Sequence, residues 1–147
     1  MIVRALAIHE IDGLGELAKE FYASSRHLEE FKPDLFRDLW TTLITSGAGA
    51  IFAADKGGVF VGAIGCFAHR DLYSEAIVTE ELFWFVRESE RGAGVRLFRT
   101  FEGWSRVKGA KTIQMCHLLD LMPEKVSIFY HREGFTAVET RYSKALA

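Results

Sequence analysis

Between Glu80 and Lys108 the chain reads EELFWFVRESERGAGVRLFRTFEGWSRVK, and no other stretch constrains the fold so tightly. An apolar, strand-like run ends at Val86, a charged turn follows, and Arg91-Gly92-Ala93-Gly94 leads straight into apolar residues at helical spacing. Glycines just ahead of a helix let backbone N–H groups come close to a phosphate, and the positive end of the helix dipole adds attraction. The segment is suited to an anionic group.

A chain of 147 residues matches one small fold, so a single domain over 1–147 is expected, able to bury roughly 70% of its unfolded surface. Hydrophobic residues at 49% and charged residues at 26% exclude a disordered chain. The net charge of −2 is spread over interspersed acids and bases, which gives no reason to expect nucleic acid or an anionic membrane as partner. Cys66 and Cys116 lack metal-ligand spacing and sit in apolar runs, so they read as buried, reduced thiols and no metal site is assigned. The opening MIVRALAIHE is too short an apolar run for a secretory signal, and no run approaches a membrane span; a cytoplasmic location is the expectation.

Periodicity lays out the elements. Ile2 to Ile8 reads as a strand, Glu10 to Ser25 as a helix, and Pro33 opens a second helix with Leu35, Phe36, Leu39, Trp40 and Leu43 on one stripe, ending near Ser46-Gly47. Ala50 to Ala54 and Val59 to Ala68 flank Asp55-Lys56-Gly57-Gly58, the pattern of a hairpin. A polar loop, His69 to Glu75, precedes the strand ending at Val86. A largely buried helix is expected over about Gly92 to Lys108, then a strand at Lys111 to Cys116, a helix at Pro123 to Arg132 and a final strand over Phe135 to Leu146. Hairpins in the middle and late crossovers predict an α/β fold whose sheet is of mixed direction.

Over nearly its whole length the chain resembles the GNAT superfamily of acetyl-CoA-dependent N-acetyltransferases, in the compact bacterial or bacteriophage form. The family signature, Arg or Gln, two residues, Gly, one residue, then Gly or Ala, aligns with Arg91, Gly94 and Arg96, the last being a departure. A family Tyr four residues before Gly-Phe is matched by Tyr130, Gly134 and Phe135. The resemblance implies a mostly antiparallel mixed sheet of six to seven strands with four helices and a splayed central parallel pair. It implies a pantetheine arm along Trp84, Phe85 and Val86, and a pyrophosphate held by Arg91, Gly92, Ala93, Gly94, Val95 and Arg96. Arg96 either adds a cation at the phosphates, loosens the site, or points to solvent. Where members often carry an Asn, this chain has Pro123, which cannot donate, so that contact is either missing or supplied by a neighbour such as Ser127.

Acetyl transfer to an amine needs a base for the amine and a proton for the leaving thiolate. The resemblance gives Tyr130 the acid role. Glu80 and Glu81 are the base candidates; strand alternation lets only one face the acceptor, with Glu80 the closer match unless a bulge exchanges their faces. Water, a substrate group or His69 remain alternatives for the base. Arg26, His27, Glu29, Glu30 and His69 to Tyr73 fall where family members line the acceptor site.

The expected activity is transfer of an acetyl group from acetyl-CoA, a cosubstrate needing no metal, to a primary amine of a small molecule or peptide by direct attack. A non-catalytic acyl-CoA-binding or assembly protein with the same fold is the alternative, and a homodimer is implied only by the resemblance. A nucleotide-binding α/β domain is disfavoured, because the chain has neither a phosphate-loop Lys before Ser or Thr nor a Gly-x-Gly-x-x-Gly run.

Overall fold

The computed structural model describes residues 1–24, 29–117 and 122–146. Strands β1 (Ile2–Ala5), β2 (Gly49–Lys56), β3 (Val59–Arg70), β4 (Ile77–Val86) and β5 (Ala110–Gln114) form one sheet in the order β1-β2-β3-β4-β5. The first four are antiparallel neighbours and β4 and β5 are parallel, as the crossover through a helix demands. Four α-helices accompany them: α1 (Gly15–Ala23), α2 (Pro33–Thr45), α3 (Ala93–Val107) and α4 (Pro123–Arg132). Helices α1 and α2 cover one face of the sheet and α3 the other.

Each face has its own core. Leu14 and Leu17 join Trp40 of α2 and Ile51, Ala53 and Ala63 of the sheet on the first. On the second, Leu97 and Phe101 of α3 meet Phe52, Ile64, Cys66 and Val86. Residues alternating along β2 and β3 thus feed opposite cores, the period-2 pattern of a strand buried on both sides. The hairpin between them turns where it was expected. Gly57 and Gly58 both adopt positive φ, 64° and 90°, and the Asp55 carboxylate accepts from the Gly58 amide at 2.7 Å. Gly65 meets a different need. A Cβ there would lie 2.3 Å from the Phe83 ring and 2.7 Å from Trp40, so the first core closes over a bare backbone.

Several expectations need correction. The sheet has five strands among the described residues, not six or seven, because Phe135 to Leu146 forms no regular structure and Val138, Tyr142 and Leu146 are exposed. Alternation alone does not make a strand; it needs an edge to pair with and a core to face. β1 ends at Ala5, and Ile8–Leu14 is a 3-10 helix rather than the opening of α1. The carboxylate of Glu10 accepts from the Ala7 amide and is clamped by Arg4, which draws this segment back onto the sheet. Leu35 and Leu39 of α2, and Val95 and Val107 of α3, are exposed, so the buried stripes are narrower than the sequence pattern. No helix among the described residues is long and apolar enough to cross a membrane.

Candidate active site

β4 is two strands in one. From Ile77 to Glu80 it pairs with β3 on one side and β5 on the other, the last β5 partner being Gln114 opposite Glu80. From Glu81 to Val86 it pairs with β3 alone. The edge that β5 no longer covers exposes backbone donors and acceptors inside the fold, groups that are unfavourable to bury unsatisfied.

A bulge sits at this transition. Gly65 opposes Phe83 and Cys66 opposes Glu81, which leaves Leu82 as the extra residue on β4. The two glutamates therefore part company. Glu81 lies across from Cys66 and in alternation with Thr79, whose hydroxyl donates to Ser105 of α3 at 2.7 Å, so it belongs to the α3 face. Glu80 lies across from Phe67 on the other face, and its carboxylate meets the ring of His69 at 3.1 Å. Beyond the bulge the order reverses: Phe83 and Phe85 face α1 and α2, while Trp84 and Val86 face α3.

Cys116 ties the site together. It follows β5 directly, its carbonyl accepts from the Tyr130 hydroxyl at 2.5 Å, and its thiol donates to Glu81 Oε2 at 3.2 Å. The residue is exposed rather than buried and lies beyond the strand, a correction to both expectations, although its thiol turns inward to Glu81. Glu81 is largely buried, and that burial pushes its carboxyl up to about 7, with the Cys116 thiol holding it partly back. Burial, reinforced by Glu81, pushes the Cys116 thiol up to about 12. The buried Tyr130 phenol is raised well above its ordinary range by burial first and then by Glu81. Its ring packs on Trp84, Phe129 and Phe135, with His117 stacked at 6.5 Å.

The glycine-rich turn lies at the far end of the uncovered edge. A Cβ at Gly92 would meet nothing within 4 Å, and one at Gly94 would make ordinary contacts with Trp84 and Val86. The internal packing therefore does not demand either glycine. The indole N–H of Trp84 is buried without a hydrogen-bond partner, and its Nε1 lies 3.8 Å from where a Gly94 Cβ would sit. Arg91 is exposed, and among the described residues it makes no ion pair. Ala93 is buried and Val95 exposed in the first turn of α3, and the Arg96 guanidinium reaches the Met1 carbonyl at 3.3 Å. Ser127 is half-buried on α4, and its carbonyl accepts from the His131 ring. Of the residues expected at the acceptor side, Glu30 pairs with Lys32 and the Glu29 carbonyl accepts from Tyr22. Arg26 and His27 lie outside the described residues.

A strand splayed from its parallel neighbour, a bulge at the opening and a glycine turn leading into a helix describe a family, and residues 12–135 match the model of the acetyltransferase (GNAT) family. The chain belongs to that family. Its fold is shared by solved GNAT structures at low identity. Ribosomal-protein-alanine N-acetyltransferase from Brucella melitensis biovar Abortus 2308 superposes with a TM-score of 0.74 at 13% identity, covering 99% of this chain and 100% of that one. AAC(6')-Iy, in complex with the bisubstrate analogue CoA-S-monomethyl-acetylneamine, gives 0.77 at 16% identity, covering 99% and 97%. An aminoglycoside acetyltransferase from an uncultured soil metagenomic sample, in complex with trehalose, gives 0.74 at 17%, covering 99% and 95%. No curated protein matches the chain. As a GNAT acetyltransferase it is an acyltransferase of an acetyl-CoA-using family.

Sequence reasoning missed Cys116 as the residue that joins acid and base candidates. Its signal was positional only: it stands two residues beyond the last β5 residue, where the parallel pair has just opened.

Proposed function

We propose that the protein transfers the acetyl group of acetyl-CoA to a primary amine by direct attack in a ternary complex. The observation that carries this reading is the convergence of Glu81, Cys116 and Tyr130 at the point where β4 loses β5. The residues present fit acetyl-CoA. The uncovered β4 edge at Trp84, Phe85 and Val86 offers backbone partners to an amide-bearing arm, and the partnerless Trp84 indole is a further donor beside it. Arg91 to Val95 provide a helix N-terminus, a cation with no ion pair among the described residues and space at Gly92 for a pyrophosphate. Arg96, directed to Met1, adds to the charge nearby without being aimed at the phosphates, and Ser127 lies on the helix that closes the cleft.

Glu81 is the base. A carboxylate titrating near 7 exists in both forms at neutral pH and removes a proton from an amine far better than an ordinary glutamate. Glu80, engaged by His69 on the opposite face, supports that face instead. The amine nitrogen attacks the thioester carbonyl carbon, its proton passes to Glu81, the C–S bond breaks and the thiolate takes a proton from Tyr130. Burial keeps that phenol protonated, and a turn of its O–H away from the Cys116 carbonyl frees the donor. Cys116 is unsuited to carry the acetyl group itself, since a thiol titrating at about 12 holds almost no thiolate at neutral pH.

The test is the Tyr130→Phe variant. Acetylation of a responsive amine is expected to slow about 10²–10⁴-fold while acetyl-CoA affinity changes only a few-fold, because the ring is kept and only the proton is lost. Turnover equal to wild type removes the acid assignment, and acetyl-CoA binding with no acetylation of any amine favours a binding protein instead.

A further inference from the structure

The cleft at Glu81 has a volume of about 80 Å³, and its walls are mostly apolar, with Phe21 of α1, Leu82, Phe83 and Trp84 of β4 and Val126 of α4 facing the polar Cys116 and His117. It adjoins a second, smaller recess of about 20 Å³ between α1, α2 and β4 that no charged side chain lines among the described residues. Phe21 and Phe83 border both cavities, with ring centroids 6.3 Å apart, and Phe85 and Phe36 extend the aromatic wall inward. Because β5 leaves the β4 edge uncovered here, the two faces of the sheet communicate at the Phe21 and Phe83 rings.

Charge is as informative as shape. Among the described residues, Glu81 is the one carboxylate lining either cavity. The acids next to them are engaged: both oxygens of Glu20 on α1 take hydrogen bonds from Arg87, and Glu80 is held by His69. A polyamine or aminoglycoside brings several ammonium groups into its site, and each needs a carboxylate or water when bound. Among its described residues this cleft offers one carboxylate, the Cys116 thiol and the His117 ring, and otherwise apolar side chains.

We infer that the acceptor is a small primary monoamine bearing an aromatic or branched apolar group, its nitrogen at Glu81 and its substituent over Phe21 and Phe83. The inference rests on the acetyl-transfer reading and names the substrate class for that site. Burying a phenyl group against these rings is expected to favour phenethylamine over ethylamine by about 10–100-fold in kcat/KM. The aromatic face also gives a cationic amine some attraction before the proton leaves.

The experiment compares phenethylamine, tryptamine, ethylamine, spermidine and neamine as acceptors, with acetyl-CoA binding measured in parallel by calorimetry. The expected result is the phenethylamine preference above, with spermidine and neamine poorer still. Phe21→Leu should erode the phenethylamine preference, and Phe21→Ala should erode it further, each leaving acetyl-CoA affinity within a few-fold. Efficient acetylation of spermidine or neamine in place of phenethylamine overturns the apolar acceptor while leaving acetyl transfer standing. Acetylation of none of the five overturns the acceptor class, and if acetyl-CoA also fails to bind, the transfer reading falls with it.

Discussion

The two halves of β4 share one strand and one neighbour on the β3 side, yet they do different work. Ile77 to Glu80 is sealed on both edges, and its side chains finish in closed interactions, Thr79 to Ser105 and Glu80 to His69. Glu81 to Val86 is sealed on one edge, and its side chains include a carboxyl pushed up to about 7 and an indole N–H with no partner. A strand that completes its hydrogen bonding stabilises the fold. One that leaves an edge and a polar side chain unmet, inside the molecule, is poised to bind.

The sharpest way to break the comparison is to exchange its two glutamates. Glu81→Gln removes the proposed base and should lower kcat/KM about 10²–10⁴-fold, while Glu80→Gln, which loses only the His69 contact, should stay within a few-fold in steady-state acetylation. Equal losses would show that the bulge at Leu82 does not separate their roles.

The same carboxyl makes a stability prediction with a definite sign. Folded Glu81 titrates near 7 rather than 4.5, so between those values the folded chain holds a proton that the unfolded chain has released. Its effect therefore favours folding below about pH 4.5 and turns unfavourable as pH rises to about 7, by up to about 3 kcal/mol. Urea unfolding at pH 5 and pH 8 should show wild type losing more stability on alkalinisation than Glu81→Gln, while kcat/KM of the wild type rises through pH 7. A variant with an identical pH dependence would mean that the carboxyl is not buried as described.

Smaller effects sharpen the contrast from the sealed side. Thr79→Val strips the donor from a fully buried pair and is expected to lower stability by about 1–3 kcal/mol in urea melts, without altering acetyl-CoA affinity. Gly92→Ala should do the reverse. Its Cβ meets nothing in the protein, so stability should move by less than about 0.5 kcal/mol, while calorimetric affinity for acetyl-CoA falls because the methyl group occupies the space proposed for the pyrophosphate. Unchanged affinity in Gly92→Ala would detach the glycine turn from the cofactor.

Much of this was legible in the sequence because it is local. The Gly57-Gly58 turn, the α2 start at Pro33, and the passage from Val86 through glycines into α3 all follow from residue-level preferences. The fold class and the parallel pair followed from element order, and the mostly antiparallel run from the family resemblance. What escaped was set by partners distant in sequence. Nothing in EELFWFV announces that Leu82 will be the extra residue, since a bulge is decided by how β3 and β4 register around the bare Gly65. Glu81 could not be preferred over Glu80 until that register was known. Cys116 looked like a core thiol because its run is apolar, but β5 stops at Gln114 and turns it towards Glu81. The Phe135 to Leu146 alternation promised a strand and found no ladder.

The most direct measurement is amide-resolved hydrogen exchange of the wild-type protein with and without saturating acetyl-CoA. The account predicts new protection at Glu81 to Val86 and Arg91 to Val95, with Ile77 to Glu80, already paired on both edges, unchanged. Binding that leaves the first two segments as they were, or that protects Ile77 to Glu80 equally, would contradict the division of β4 on which the account stands.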